Sequence, residues 1–113
     1  MMTIEVRKKG TVSIVDVTGK MSFGEGDSAL RDRVKELLEA GETLFLLNLL
    51  GVPHMDSASI GEVVACHKRV LEKGGAIKLA IQGKVHETFN MARLYRVFDI
   101  FPDVESALAD FVK

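Results

Sequence analysis

The chain has 113 residues, 47% of them hydrophobic and 27% charged, with a formal net charge of −1. That length supports one domain with a single core, and the charge balance carries no basic footprint for nucleic acid or a membrane surface, so neither direct nucleic-acid binding nor membrane insertion is expected. The longest apolar run, Leu44 to Leu50, is broken by Asn48 and is too short to cross a bilayer; MMTIEVRKKG has no secretory pattern, and the lone Cys66 cannot form an internal disulfide, so a reducing, cytoplasmic setting is expected.

Taken in order, residues 3–9 and 11–18 are β-rich runs around Lys9-Gly10, which predicts a hairpin. MSFGEGD is read as a loop. From Asp27 or Ser28, a plausible N-cap, Leu30, Val34, Leu37 and Leu38 recur at helical spacing, and Gly41 marks the stop. Residues 43–50 are apolar on both faces, as a central strand covered on two sides should be. A second helix is expected from Ser57 or Ser59 to Lys73, with Ile60, Val63, Val64, His67, Val70 and Leu71 on its buried stripe and Gly74-Gly75 at its end. AIKLAIQ reads as a strand, Lys84 to about Arg93 as a helix through Val85, Phe89 and Ala92, and Phe98–Phe101 as a short strand. Asp103 then caps a terminal helix carrying Val104, Ala107, Leu108, Phe111 and Val112. The pattern is α/β: a mixed four- to five-stranded sheet with an opening β-hairpin, right-handed crossovers and about four helices.

The junction between the central strand and the second helix holds Asp56-Ser57-Ala58-Ser59. In open α/β sheets, ligands and partners gather at this rim, and a helix N-terminus there stabilises negative charge. Helix capping, a phosphate-binding turn, a nucleophile and a phosphate acceptor are all open readings. A phosphate-cradling loop would need G-x-x-x-x-G-K-[ST] or G-x-G-x-x-G, which Gly24 and Gly26 do not supply. A nucleophile elbow would need G-x-S-x-G, and no histidine is placed to activate a serine. His54 is a loop residue, His67 a half-buried packing residue with a bonded nitrogen, and His86 opens a later helix. Cys66 reads as a small buried hydrophobe, and no zinc-ligand spacing is present. Ser59-Ile60-Gly61-Glu62 fits a capping box, with Ser59 as N-cap and Glu62 reaching back. A competing register makes Asp56 the N-cap and Ser57 the first helical residue. Both registers leave the Ser57 hydroxyl unengaged, so Ser57 is the better phosphate acceptor and Ser59 the runner-up.

The stretch LLNLLGVPHMDSASIGEVVACHKRVLEKGGAIKLA resembles the central signature of STAS domains, the bacterial anti-sigma factor antagonists. An aliphatic strand leads there into D-S-x-x-[LI]-G, a helix, Gly-Gly and a further strand. The resemblance extends over essentially residues 1–113 and implies a STAS-like single domain that is not an enzyme and carries no cofactor or metal. It further implies that Ser57 is phosphorylated by a partner, an anti-sigma factor serine kinase that brings its own ATP. The unmodified form would bind that kinase and release a sigma factor, and a phosphatase would restore it. Asp56 matches the acidic residue that positions the hydroxyl, and Gly61 the glycine of the motif. Met55, Ala58, Ser59 and Glu62, with Ser22 and Gly24 in the loop from Met21 to Asp27, would belong to the switch and docking surface. Two positions depart from the family: Ser59 stands where glycine is usual, and Asn48 where many members have an aspartate that is structural or loop-supporting. The alternative implied by the same resemblance is an unphosphorylated interaction subunit of a transporter or stress-signalling complex.

Overall fold

The chain first reverses at Gly10, whose φ of +61° suits glycine and strains other residues. There Thr3–Lys9 (β1) turns back to pair antiparallel with Val12–Thr18 (β2). The computed structural model describes residues 2–21 and 25–112. After β2 come Glu25–Glu39 (α1), Leu44–Gly51 (β3), Ser57–Glu72 (α2), Ala76–Ala80 (β4), Gly83–Met91 (α3), a 3-10 turn at Leu94–Arg96, Asp99–Phe101 (β5) and Val104–Phe111 (α4). The sheet order is β1-β2-β3-β4-β5, antiparallel in the hairpin and parallel thereafter. This is the expected mixed α/β sheet.

Helix α1 starts at Glu25, ahead of the expected Asp27 or Ser28, so part of the expected loop is helical. Gly26 falls in the first turn, where backbone N–H groups have no intrahelical acceptor, so its glycine weakens the helix there only through chain entropy.

Alternation along the strands builds two unequal cores. Phe45, Leu47, Leu49 and Leu79 face a large cluster completed by Leu30 and Val34 of α1, Val63 and Val70 of α2, and Val85 and Phe89 of α3. On the other face, Val12, Ile14, Leu46 and Ala80 meet Ala107, Leu108 and Phe111 of α4. The buried side of α2 runs through Ser59, Ile60, Val63, Cys66 and Val70; Leu71, expected on that stripe, is mostly exposed. The helix rotates to seat Cys66 inward, and that rotation carries Leu71 out. Ala92, expected to help bury the third helix, lies just past its end and is exposed, as is Val112 after α4.

Asn48 has a specific partner. It sits opposite Asp16 in the β2–β3 register, donates from Nδ2 to Asp16 Oδ1 at 2.7 Å, and accepts from the Leu50 backbone N–H at 3.1 Å. Asp16 also pairs with Glu5 across the hairpin and is bridged by Arg7 at 2.7 Å. Burial alone would raise the Asp16 carboxyl, but the hydrogen bonds from Arg7 and Asn48 outweigh it and hold the group below its ordinary value. An aspartate at position 48 would place three carboxylates side by side against one arginine. Asn48→Asp is therefore expected to destabilise the fold by about 1–3 kcal/mol at neutral pH, through a lost hydrogen bond to a charged group and like-charge repulsion. The depressed Asp16 stabilises the wild type above its unfolded pKa and loses that contribution as pH falls through the folded value. The variant's close carboxylates are instead relieved by protonation, so urea denaturation curves of the two proteins should converge as pH drops into the carboxylate range.

Candidate functional site at the β3–α2 junction

Beyond β3, Val52 is buried, and Met55 makes an isolated parallel bridge with Met21 that extends the β2–β3 pairing. The chain then enters α2 at Asp56. With φ −90° and ψ 176°, Asp56 is extended and accepts the Ser59 backbone N–H on Oδ1 at 2.8 Å, while its carbonyl accepts from the Ile60 N–H at 3.1 Å. Asp56 is thus the N-cap, and of the two expected registers the chain adopts the one with Ser57 at the first helical position rather than the one with Ser59 as cap. A small polar cap that accepts from the third helical N–H satisfies one of the donors left over at a helix start.

This register gives the two serines different surroundings. Ser57 takes the first helical position, is exposed, and its hydroxyl makes no hydrogen bond with any described residue. Ser59 is fully buried and donates from Oγ to the Met21 backbone carbonyl at 3.1 Å. A hydroxyl fits there because Ser59 shares the inward stripe of α2 with Val63, Cys66 and Val70 yet faces the Met21 carbonyl, three residues past the end of β2. That stripe, spaced i, i+4, i+7, i+11 from Ser59, was the available signal for its burial; nothing local pointed to Met21.

The capping box is also corrected at its other end. Glu62 does not reach back; its carboxylate accepts from Arg69 Nη1 at 3.2 Å, one helical repeat further along α2. Ala58 is half-buried, Gly61 is exposed, and a methyl group there would meet open space. Asp56, Ser57, Ala58 and Gly61 therefore meet at one rim; Met55, expected on the docking surface, is instead buried beneath it with Ser59, held in the core by its bridge to Met21. Ser22 and Gly24 lie outside the described residues.

The other reactive side chains are elsewhere. Burial first, and the Glu62 charge second, push the Cys66 thiol up to about 12, which leaves it unreactive at neutral pH. His67 stacks on Phe98 with ring centroids 4.6 Å apart, and burial lowers its pKa. The expected bond to a ring nitrogen is not made among the described residues; the aromatic contact takes its place. His86 lines a separate hollow of about 240 Å³ with Ile81, Gln82 and Pro102. Among the described residues, no group of three His, Cys, Asp or Glu side chains could hold a metal, and no helix is long and apolar enough to cross a membrane.

A five-stranded mixed sheet with its opening hairpin, and an Asp-Ser helix start on the rim of a central strand, define a recognisable class of small α/β domain. Residues 3–107 match the STAS domain, and the chain belongs to that family. Among its relatives, it is 23% identical over 111 residues to an anti-sigma F factor antagonist of Paenibacillus polymyxa, covering 96% of this chain and 94% of that one. Among solved structures it is similar to an anti-sigma factor antagonist from Mycobacterium paratuberculosis, at 17% identity, with a TM-score of 0.87 over 100% of this chain and 96% of the other. It is also similar to the Bacillus cell fate determinant SpoIIAA in its phosphorylated form, at 15% identity, with a TM-score of 0.75 over 98% and 100% of the two chains.

Proposed function

We propose that this protein is an anti-sigma factor antagonist switched by phosphorylation of Ser57. In its unmodified form it binds an anti-sigma factor serine kinase through the rim formed by Asp56, Ser57, Ala58 and Gly61, and a sigma factor is released. The kinase, holding ATP, then modifies the bound protein. Ser57 Oγ forms a bond to the γ-phosphorus, the bond from that phosphorus to the bridging oxygen breaks, ADP leaves, and the hydroxyl proton passes to a base on the kinase. A phosphatase reverses the state by hydrolysis.

One observation carries this reading: of the two serines at the junction, Ser57 alone offers an exposed and unengaged hydroxyl. The relatives' names agree with it. The electrostatics suit a switch. A phosphoserine adds about −1.5 to −2 of charge and three acceptor oxygens. The start of α2 favours an anion by about 0.3–1 kcal/mol, but Asp56 is adjacent and the first turn, Ser57 to Ile60, has no lysine or arginine. An interface fitted to a neutral hydroxyl must then desolvate a dianion with little local compensation, and it loosens.

The test is intact-mass measurement and phosphosite mapping of the protein from its native cells, for wild type, Ser57→Ala and Ser59→Ala. A single phosphate adduct is expected in wild type and Ser59→Ala and none in Ser57→Ala. Loss of the adduct only in Ser59→Ala would overturn the assignment of Ser57. No adduct during growth or stress would favour an unmodified interaction subunit of a transporter or stress-signalling complex.

A further inference from the structure

At the opposite end of the sheet from Ser57, three unusual features fall on one short segment. Helix α3 starts from the same end of the sheet as α2 and carries the chain back along it. The turn that follows, Met91–Phe98, leads into the edge strand β5. Met91 is 86% exposed, Tyr95 55% and Val97 48%, half of the large hydrophobic side chains exposed among the described residues. The segment also holds Arg93 and Arg96 and no carboxylate. The chain's other four arginines, Arg7, Arg31, Arg33 and Arg69, each lie within 3.6 Å of an acidic side chain. Arg93 and Arg96 have no acidic partner among the described residues, and the next carboxylate along, Asp99, is bound to Lys78 at 3.0 Å. Finally, Arg93 adopts φ +58°, the one left-handed non-glycine conformation among the described residues. Such a conformation costs about 1–3 kcal/mol and tends to accompany sites under functional constraint.

Exposed methionine, tyrosine and arginine are the side chains that protein interfaces favour, and unpaired guanidinium groups bind carboxylates in a bidentate fork. We infer that Met91–Phe98 is a second docking surface, which takes a protein segment bearing carboxylates beside an apolar anchor. The carboxylates pair with Arg93 and Arg96, and the anchor packs on Met91, Tyr95 and Val97. An anionic membrane is the less suitable occupant, since polybasic membrane sites gather about 4–8 lysines and arginines and this segment has two. The surface is independent of the Ser57 reading, lies at the other end of the sheet, and can be occupied in either state of that serine.

The experiment follows the amide resonances of the isotope-labelled full chain on titration with short synthetic peptides. One alternates glutamate with leucine, a second replaces its leucines with serine, and a third replaces its glutamates with lysine. Vesicles containing phosphatidylglycerol form the remaining arm. The glutamate–leucine peptide should shift the signals of Arg93–Phe98, and the serine and lysine peptides should bind about tenfold more weakly or not at all, as loss of a hot-spot contact implies. Arg93→Gly, which suits the positive φ and so protects the fold, and Arg96→Ala should each weaken that peptide, whereas Ser57→Ala should not. Equal binding of the three peptides, shifts elsewhere on the chain, or preferential binding to the vesicles would overturn the inference. So would affinity unchanged by both arginine substitutions.

Discussion

Gly75→Ala is expected to destabilise the fold by about 3 kcal/mol or more, at the upper end of what forced overpacking costs. A Cβ there would lie 2.1 Å from the Thr43 carbonyl oxygen and 2.9 Å from its carbon, both backbone atoms, and 3.0 Å from Val70 Cγ1. The backbone has no room to retreat, because the Gly75 N–H is held by the Val70 carbonyl at 3.0 Å and the Ala76 N–H by the Thr43 carbonyl at 2.9 Å. That second bond begins the β3–β4 pairing at the foot of the sheet. The neighbouring glycine is a control. Gly74 has φ +78° and open space around its Cα, so Gly74→Ala should cost only the left-handed penalty of about 1–2 kcal/mol. Chemical denaturation of both variants decides the matter. A Gly75→Ala protein as stable as Gly74→Ala would show that the strand can shift away from α2.

The second large effect is expected at Lys78. In the middle of β4, on the face covered by α4, its ammonium is hydrogen-bonded to Asp110 at 2.7 Å and Asp99 at 3.0 Å, and it lies 5.0 Å from the Phe111 ring centroid and 5.8 Å from that of Phe101. Removing one member of a buried pair typically costs about 3–5 kcal/mol, but Asp99 is largely in water, so Lys78→Ala should cost about 2–3 kcal/mol. Lys78→Met keeps the aliphatic stem and should recover only the packing part of that loss, because it takes the ammonium from Asp110 and Asp99 just as alanine does. Burial alone would depress the lysine, but the bonds to Asp110 and Asp99 outweigh it and hold its pKa above the ordinary value. A raised lysine stabilises fully below its unfolded pKa, about 10.4, and the contribution is lost as pH rises through the higher folded value. The stability gap between wild type and Lys78→Met should therefore be flat through neutral pH and narrow in strong alkali. A gap that narrowed near pH 7 would contradict this account.

These positions mark where the sequence was legible and where it was not. The hairpin, the helices and the central strand follow from periodicity and punctuation over neighbouring residues, and so does the exposed Ser57 hydroxyl, which both capping registers left free. The choice between those registers rested on a tertiary fact. Ser59 bonds to Met21, 38 residues earlier, and a residue committed to that contact cannot also be a solvent-side cap. S-x-x-E is a local pattern that predicts Glu62 reaching back, but Arg69 gives it a partner one helical repeat onward. Gly74-Gly75 was readable as a helix stop, yet the two glycines serve different ends: one for its positive φ, the other for a close approach to Thr43. Lys78 in an apolar strand carried no local hint of its two aspartates, which lie 21 and 32 residues further along.

The strand order β1-β2-β3-β4-β5 means that each strand's next neighbour in space is also its next neighbour in the chain. Chains fold from the N-terminus as they leave the ribosome. This sheet can be laid down in the order of synthesis, each strand after the first finding a neighbour already made. The exception is the second face. Val12, Ile14 and Leu46 are in place early, but the helix that covers them, Val104–Phe111, is made after all five strands. A stalled or prematurely terminated copy would carry a nearly finished sheet with one greasy side bare, the kind of nascent chain that holdase chaperones retain and proteases clear.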